Sequence, residues 1–155
     1  MMSSQRIGIF VATMTGTAEI CAEEVAAALD AAGFAAETIL MDGLGADALD
    51  PFDLAIVISS TYGQGDVPDN GQAFFEAIEA TPSLSGRRFA VFALGDRTYA
   101  ATFCEAGAKW DALLAEKGAS RFAPLVRHDA SSGLLAEDEA GIWAAGWAAA
   151  LKQAA

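Results

Sequence analysis

Short apolar, β-branched runs alternate with longer stretches of helical periodicity along the whole of this chain. Ile7-Gly-Ile-Phe-Val-Ala12 reads as a strand buried on both faces, and Leu54-Ala-Ile-Val-Ile-Ser-Ser60 is the strongest such signal. Glu37 to Met41, Arg88 to Leu94 and Arg121 to Arg127 supply three more strands. Between them, helices are predicted over residues 18–32, 71–80, 103–117 and 135–152, with Gly33 and Gly118 as stops. Strands that alternate with helices form a parallel sheet covered on both faces. Right-handed crossovers then bring the loops after the first, third and fourth strands to one carboxyl edge, where open α/β sheets bind ligands. Those three loops are also the most polar and glycine-rich in the chain.

Composition narrows the function. A chain of 155 residues with 54% hydrophobic and 19% charged side chains is one globular domain, spanning 1–155. Nine basic and 21 acidic residues give a net charge of −12, which argues against nucleic acid and anionic lipid as partners and for a basic one. Cys21 and Cys104 form no CxxC, and His128 is the one histidine, so no metal site is expected. The longest apolar run, Ala140 to Leu151, has 12 residues. A membrane span needs about 18 or more, so a soluble cytoplasmic protein is expected.

The first loop, Thr13-Met14-Thr15-Gly16-Thr17-Ala18, joins a buried strand to a helix start. Free amides, hydroxyls and the helix dipole there suit a single phosphate, although ordinary threonine capping explains the same residues. It lacks the Gly-Lys-Ser/Thr of a triphosphate loop. The second loop runs Ser60-Thr61-Tyr62-Gly63-Gln64-Gly65-Asp66-Val67-Pro68-Asp69-Asn70. Its glycines allow backbone to approach a flat ligand, and Asp69-Asn70 is expected to cap the next helix. Tyr62 is either a ligand-stacking aromatic or a surface tyrosine in a turn. The third loop, Leu94-Gly95-Asp96-Arg97-Thr98-Tyr99, brings a second loop tyrosine. A phosphate cradle with two stacking aromatics describes a site for a mononucleotide with a large flat head. A GxGxxA dinucleotide pattern at Gly43 to Ala48 is discounted, because Asp50-Pro51 follows where a long helix is needed.

The three loops together resemble those of flavodoxins and of the FMN domains of diflavin reductases, most closely the short-chain, MioC-like flavodoxins. The resemblance covers nearly the whole chain. It implies a five-stranded parallel sheet of order 2-1-3-4-5 and noncovalent FMN. Carried over by position, Thr13, Met14, Thr15, Gly16, Thr17 and Ala18 would hold the phosphate. Tyr62 and Tyr99 would cover the isoalloxazine faces. Gly63, Leu94, Gly95 and Asp96 would meet its polar edge, with Ser60, Thr61, Gln64 and Gly65 in the same loops. Phe103, Cys104 and Asp129 would lie beside it. The phosphate loop departs from the usual Thr-Gly-Asn-Thr, since Gly16 is followed by Thr17-Ala18, which removes one hydroxyl. The fifth strand is expected to run unbroken from Arg121 to His128. No nucleophile–base pair or metal cluster is visible, so the flavin itself is the expected working part, in a monomeric electron carrier. Its expected partners are a ferredoxin/flavodoxin reductase-type donor with a basic surface and a redox acceptor protein. The alternatives are a flavodoxin-like NAD(P)H:quinone or nitro reductase and an FMN domain cut from a diflavin reductase.

Overall fold

The computed structural model describes residues 6–13, 16–61 and 65–154, without the side chains of 152–154. In chain order the elements are β1 (Arg6–Ala12), α1 (Thr17–Ala31), β2 (Ala35–Leu40), β3 (Leu54–Ser59), α2 (Asp69–Glu79), β4 (Arg88–Gly95), α3 (Glu105–Glu116), β5 (Ser120–Arg121), β6 (Val126–Asp129) and α4 (Ala136–Ala154). All pairings are parallel, and the order is β2-β1-β3-β4-β5, with β6 also paired to β4. This is the expected order, with one correction. The fifth strand is two pieces. Ser120 and Arg121 pair with Arg88 and Phe89, pairing lapses over residues 122–125, and Val126 to Asp129 resume it against Phe92 to Gly95. Pro124 sits in the gap and has no N–H for a ladder.

The sheet separates two cores, and the two-residue period of the strands assigns side chains to each. Ile7, Ile9 and Val11 of β1 point to the side of α1 and α4, with Cys21, Val25, Leu29, Ala140, Ala144 and Trp147. Phe10 and Ala12 point the other way, toward Phe74, Ile78 and Trp110 of α2 and α3. Gly8 has no side chain because a Cβ would stand 2.8 Å from the rings of Phe10 and Phe52. Trp143 and Trp147 lie edge to face 5.5 Å apart, and Trp143 also packs on Phe92, so α4 closes the first core as its spacing predicts. Cys21 is buried in that core, as the apolar stripe of its helix implies.

Helix ends follow local chemistry. Gly33 stops α1 at φ +92, with Phe34 N–H donating to Leu29 O (2.9 Å), and Gly118 ends α3 at φ +97. The expected Asp69-Asn70 cap is absent. Pro68 occupies the N-cap of α2 without a side-chain bond. Asn70 instead turns to β1, where its Oδ1 accepts from Thr13 N–H (3.0 Å) and its Nδ2 donates to Val11 O (3.3 Å). Asn70 thus fastens the first loop to α2. Among the described residues no helix is long and apolar enough to cross a membrane.

Candidate functional site

Ala12, Ser59, Gly95 and Asp129 end the four adjacent strands β1, β3, β4 and β6 on one edge. A cavity of about 440 Å³ opens at that edge. The reversal of strand order between β1 and β3 lies in the same place. Seven of the residues singled out in the sequence line it: Thr17, Ser60, Thr61, Leu94, Gly95, Asp96 and Tyr99.

Thr61 is the hinge pin of the cavity wall. Its Oγ1 donates to Leu94 O (3.0 Å) and accepts from Ala106 N–H (3.3 Å), tying the loop after β3 to β4 and α3. Gly95 is required by close approach, since a Cβ there would stand 2.5 Å from Cys104 N. Asp96 Oδ1 accepts from Thr98 N–H (2.8 Å) and opens a 3-10 turn over Arg97–Thr102. That turn is kinked at Tyr99, whose φ/ψ of −107/67 is not helical. The kink leaves the Tyr99 side chain 68% exposed, although a phenol ring ordinarily seeks cover.

The first loop reaches α1 through Gly16, which is the N-cap at φ +94 with open space around its Cα. Gly16 N–H donates to Thr13 Oγ1 (2.9 Å), so that hydroxyl holds the loop's own turn. Among the described residues no side chain caps the helix start. The first-turn amides of α1 are therefore not consumed by a capping side chain. Ala18 is fully buried, its methyl packed in the α1–α4 core and away from the cavity.

Four other expected residues support the cavity without lining it. Gly65 is buried at φ +91, and a Cβ there would press on the Glu105 carboxylate. Phe103 is half-buried under the Arg97 guanidinium, 4.5 Å from the ring centroid. Cys104 is fully buried in the left-handed conformation (φ 54, ψ 25) and caps α3. Its Sγ donates to His128 O (3.3 Å), and burial pushes its thiol up to about 12. Asp129 clasps two loops: its Oδ1 accepts from the backbone N–H of Arg97 (2.9 Å) and from Ser131 N–H and Oγ. Those bonds, the Arg97 amide foremost, hold its carboxyl below the usual range. Met14, Thr15, Tyr62, Gly63 and Gln64 lie outside the described residues.

Thr102, His128, Ala130 and Ala136 also line the cavity and were not among the expected ligand residues. Small side chains at positions 130 and 136 give no sequence signal, because their contribution is the space they leave. His128 is placed by the sequence after the last strand, near the expected flavin rim, with either a structural or a tuning role. It is 3% exposed, lies nearly parallel to Phe92, and its Nδ1 is 2.5 Å from Glu139 Oε1 on α4.

The comparisons with known proteins match this geometry. The family model described as Flavodoxin matches residues 9–143. Flavodoxin YqcA of Escherichia coli strain K12 is 40% identical over 91% of this chain and 95% of its own length. Protein MioC of the same strain is 38% identical over 88% of this chain and 92% of its own. Among solved structures, the C101A mutant of a Pseudomonas aeruginosa flavodoxin superimposes with a TM-score of 0.84 at 35% identity, over 95% of this chain and 99% of that one. With the family model matching residues 9–143 and these relatives covering about nine-tenths of the chain, this protein belongs to the flavodoxin family.

Proposed function

We propose that this chain binds FMN noncovalently at the carboxyl edge of its sheet and carries single electrons between a reductase and an acceptor protein. The observation that carries the proposal is the cavity between Thr17, Thr61, Gly95 and Tyr99, on the same edge as the open N-terminus of α1. A volume of about 440 Å³ lies within the range of small-molecule sites, roughly 300–1,000 Å³. Membership of the flavodoxin family supports the choice of FMN.

FMN supplies the one-electron chemistry, and the protein supplies binding, orientation and field. The uncapped amides of α1 and the Thr17 hydroxyl suit a phosphate dianion without a lysine or arginine. Ser60 offers a hydroxyl along the wall, while those of Thr61 and Thr102 donate to Leu94 O and Tyr99 O and shape it. Tyr99, already turned outward, is placed to cover one face of a flat ring, and by resemblance Tyr62 covers the other. Gly95 lets β4 close on Cys104 and presents its backbone to the cavity. Exposed Asp66 and Asp69, with half-buried Asp96, give the rim a negative field that favours a basic docking surface.

The role is tested by mixing FMN-loaded protein with NADPH, alone and with a reductase-type flavoprotein. Reduction that requires the second protein is expected. Rapid NADPH oxidation by the loaded protein alone would assign it instead to the quinone or nitro reductases.

A further inference from the structure

Tyr99 lines the cavity, yet most of its ring is exposed. Its position therefore comes from the backbone that carries it, not from packing around it. That backbone is the turn over Arg97–Thr102, between Asp96 and Phe103. Three bonds inside the turn give it shape: Tyr99 N–H donates to Asp96 O (2.9 Å), Thr98 N–H to Asp96 Oδ1 (2.8 Å), and Thr102 Oγ1 to Tyr99 O (3.3 Å). They do not fix how the turn lies on the sheet. Its two ends meet where Gly95 closes on Cys104, so residues 96–103 form a flap. Two attachment points define only an axis, and the tilt of the flap needs a third.

Asp129 supplies that third point. It ends β6 directly opposite Gly95 in the ladder. Its neighbours His128 and Ala130 line the cavity, whereas its own carboxylate is turned to the flap. Oδ1 accepts from Arg97 N–H (2.9 Å), at the first residue of the turn. The same oxygen accepts from Ser131 N–H (2.9 Å) and Ser131 Oγ (2.7 Å), which lock the carboxylate in place. Oδ2 stands 3.6 Å from Arg97 Nε, and that guanidinium lies over the ring of Phe103 (4.5 Å to the centroid), at the far end of the turn. One carboxylate thus grips the start of the turn by its backbone and the end through Arg97.

We propose that Asp129 is the positioning residue for Tyr99: its grip on Arg97 sets the tilt of the turn, so that the phenol ring stands at the cavity before a flat ligand arrives. The inference rests on the FMN reading, in which Tyr99 covers one face of the ring system. Asp129 does not line the cavity, so its effect on the ligand passes through Tyr99. A turn left to settle only on binding would subtract its ordering cost from the affinity.

The test is a double-mutant cycle on the flavin-free protein, read by quenching of FMN fluorescence and by visible circular dichroism of the bound flavin. Asp129→Ala should bind FMN about tenfold more weakly and shift the flavin dichroism toward that of Tyr99→Ala. Asp129→Asn keeps an acceptor oxygen for Arg97 and Ser131 and should bring Kd back to within about threefold of wild type. In Tyr99→Ala, adding Asp129→Ala should change Kd by less than about twofold. If Asp129→Ala does not fold, Arg97→Pro takes its place in the cycle, since proline lacks the same N–H and suits the first position of a turn. Wild-type affinity in Asp129→Ala, or a loss that persists in full without Tyr99, would overturn the inference while leaving FMN binding intact. Wild-type affinity in Tyr99→Ala would overturn it as well. Absence of any FMN binding by the wild-type protein would instead overturn the reading on which it rests.

Discussion

At the scale of single residues, the two cysteines illustrate how placement decides chemistry. Cys104 stands beside the cavity, yet it is fully buried and its thiol is pushed up to about 12, mainly by burial. A thiol held that high is protonated at neutral pH and is a poor nucleophile. Native protein at pH 7.5 should therefore resist iodoacetamide at both cysteines, whereas urea-unfolded protein should be alkylated twice, as mass spectrometry would show. The same shift links stability to pH. The folded thiols release their protons near pH 12 and unfolded ones near about 8.5. Stability from this source is thus complete below the unfolded value and is lost as pH rises toward 12. Denaturant midpoints should fall between pH 9 and 11, and fall less in Cys21→Ala, measured against its own value at pH 7. Asp129 has the opposite sign. Its carboxyl is held low by the Arg97 and Ser131 bonds, so its contribution is present above the ordinary carboxylate range and disappears in acid.

At the scale of elements, close contacts between helix and strand set the shape of the site. α3 lies against β4 so tightly that a Cβ on Gly107 would stand 2.2 Å from Ala93 Cβ. Gly107→Ala gains helix propensity but overpacks a backbone contact, so a net loss of about 1–3 kcal/mol is expected from urea denaturation. Asn70→Ala should cost about 1–3 kcal/mol as well, since it orphans Thr13 N–H and leaves Val11 O with Met41 N–H alone, and should weaken FMN binding by loosening the first loop. How much of this was legible depends on whether the signal is local. Strand β3 and the buried faces of α1 and α3 follow from periodicity and β-branching, and they stand where the sequence puts them. The break in the fifth strand was carried by Pro124, but its apolar neighbours Phe122, Ala123, Leu125 and Val126 still read as one strand. Asn70 looked like a cap because capping is a local rule, whereas its partners Thr13 and Val11 are more than fifty residues away. Ala130 and Ala136 were missed as cavity lining for a related reason, because topology alone brings the end of β6 and the start of α4 to that edge.

At the scale of the molecule, a net charge of −12 sets long-range behaviour more than stability. Electron transfer with a basic reductase should slow steeply as ionic strength rises from about 20 to 300 mM, because the Debye length falls to less than 10 Å. A rate independent of salt would contradict docking through Asp66, Asp69 and Asp96. Docking and electron transfer presuppose that the carboxyl edge of the sheet holds FMN, and the direct test is calorimetric titration of the flavin-free protein with FMN. One equivalent should bind with micromolar or better affinity, in competition with riboflavin that lacks the phosphate. No heat and no retained flavin at a concentration of about 100 μM would contradict the account.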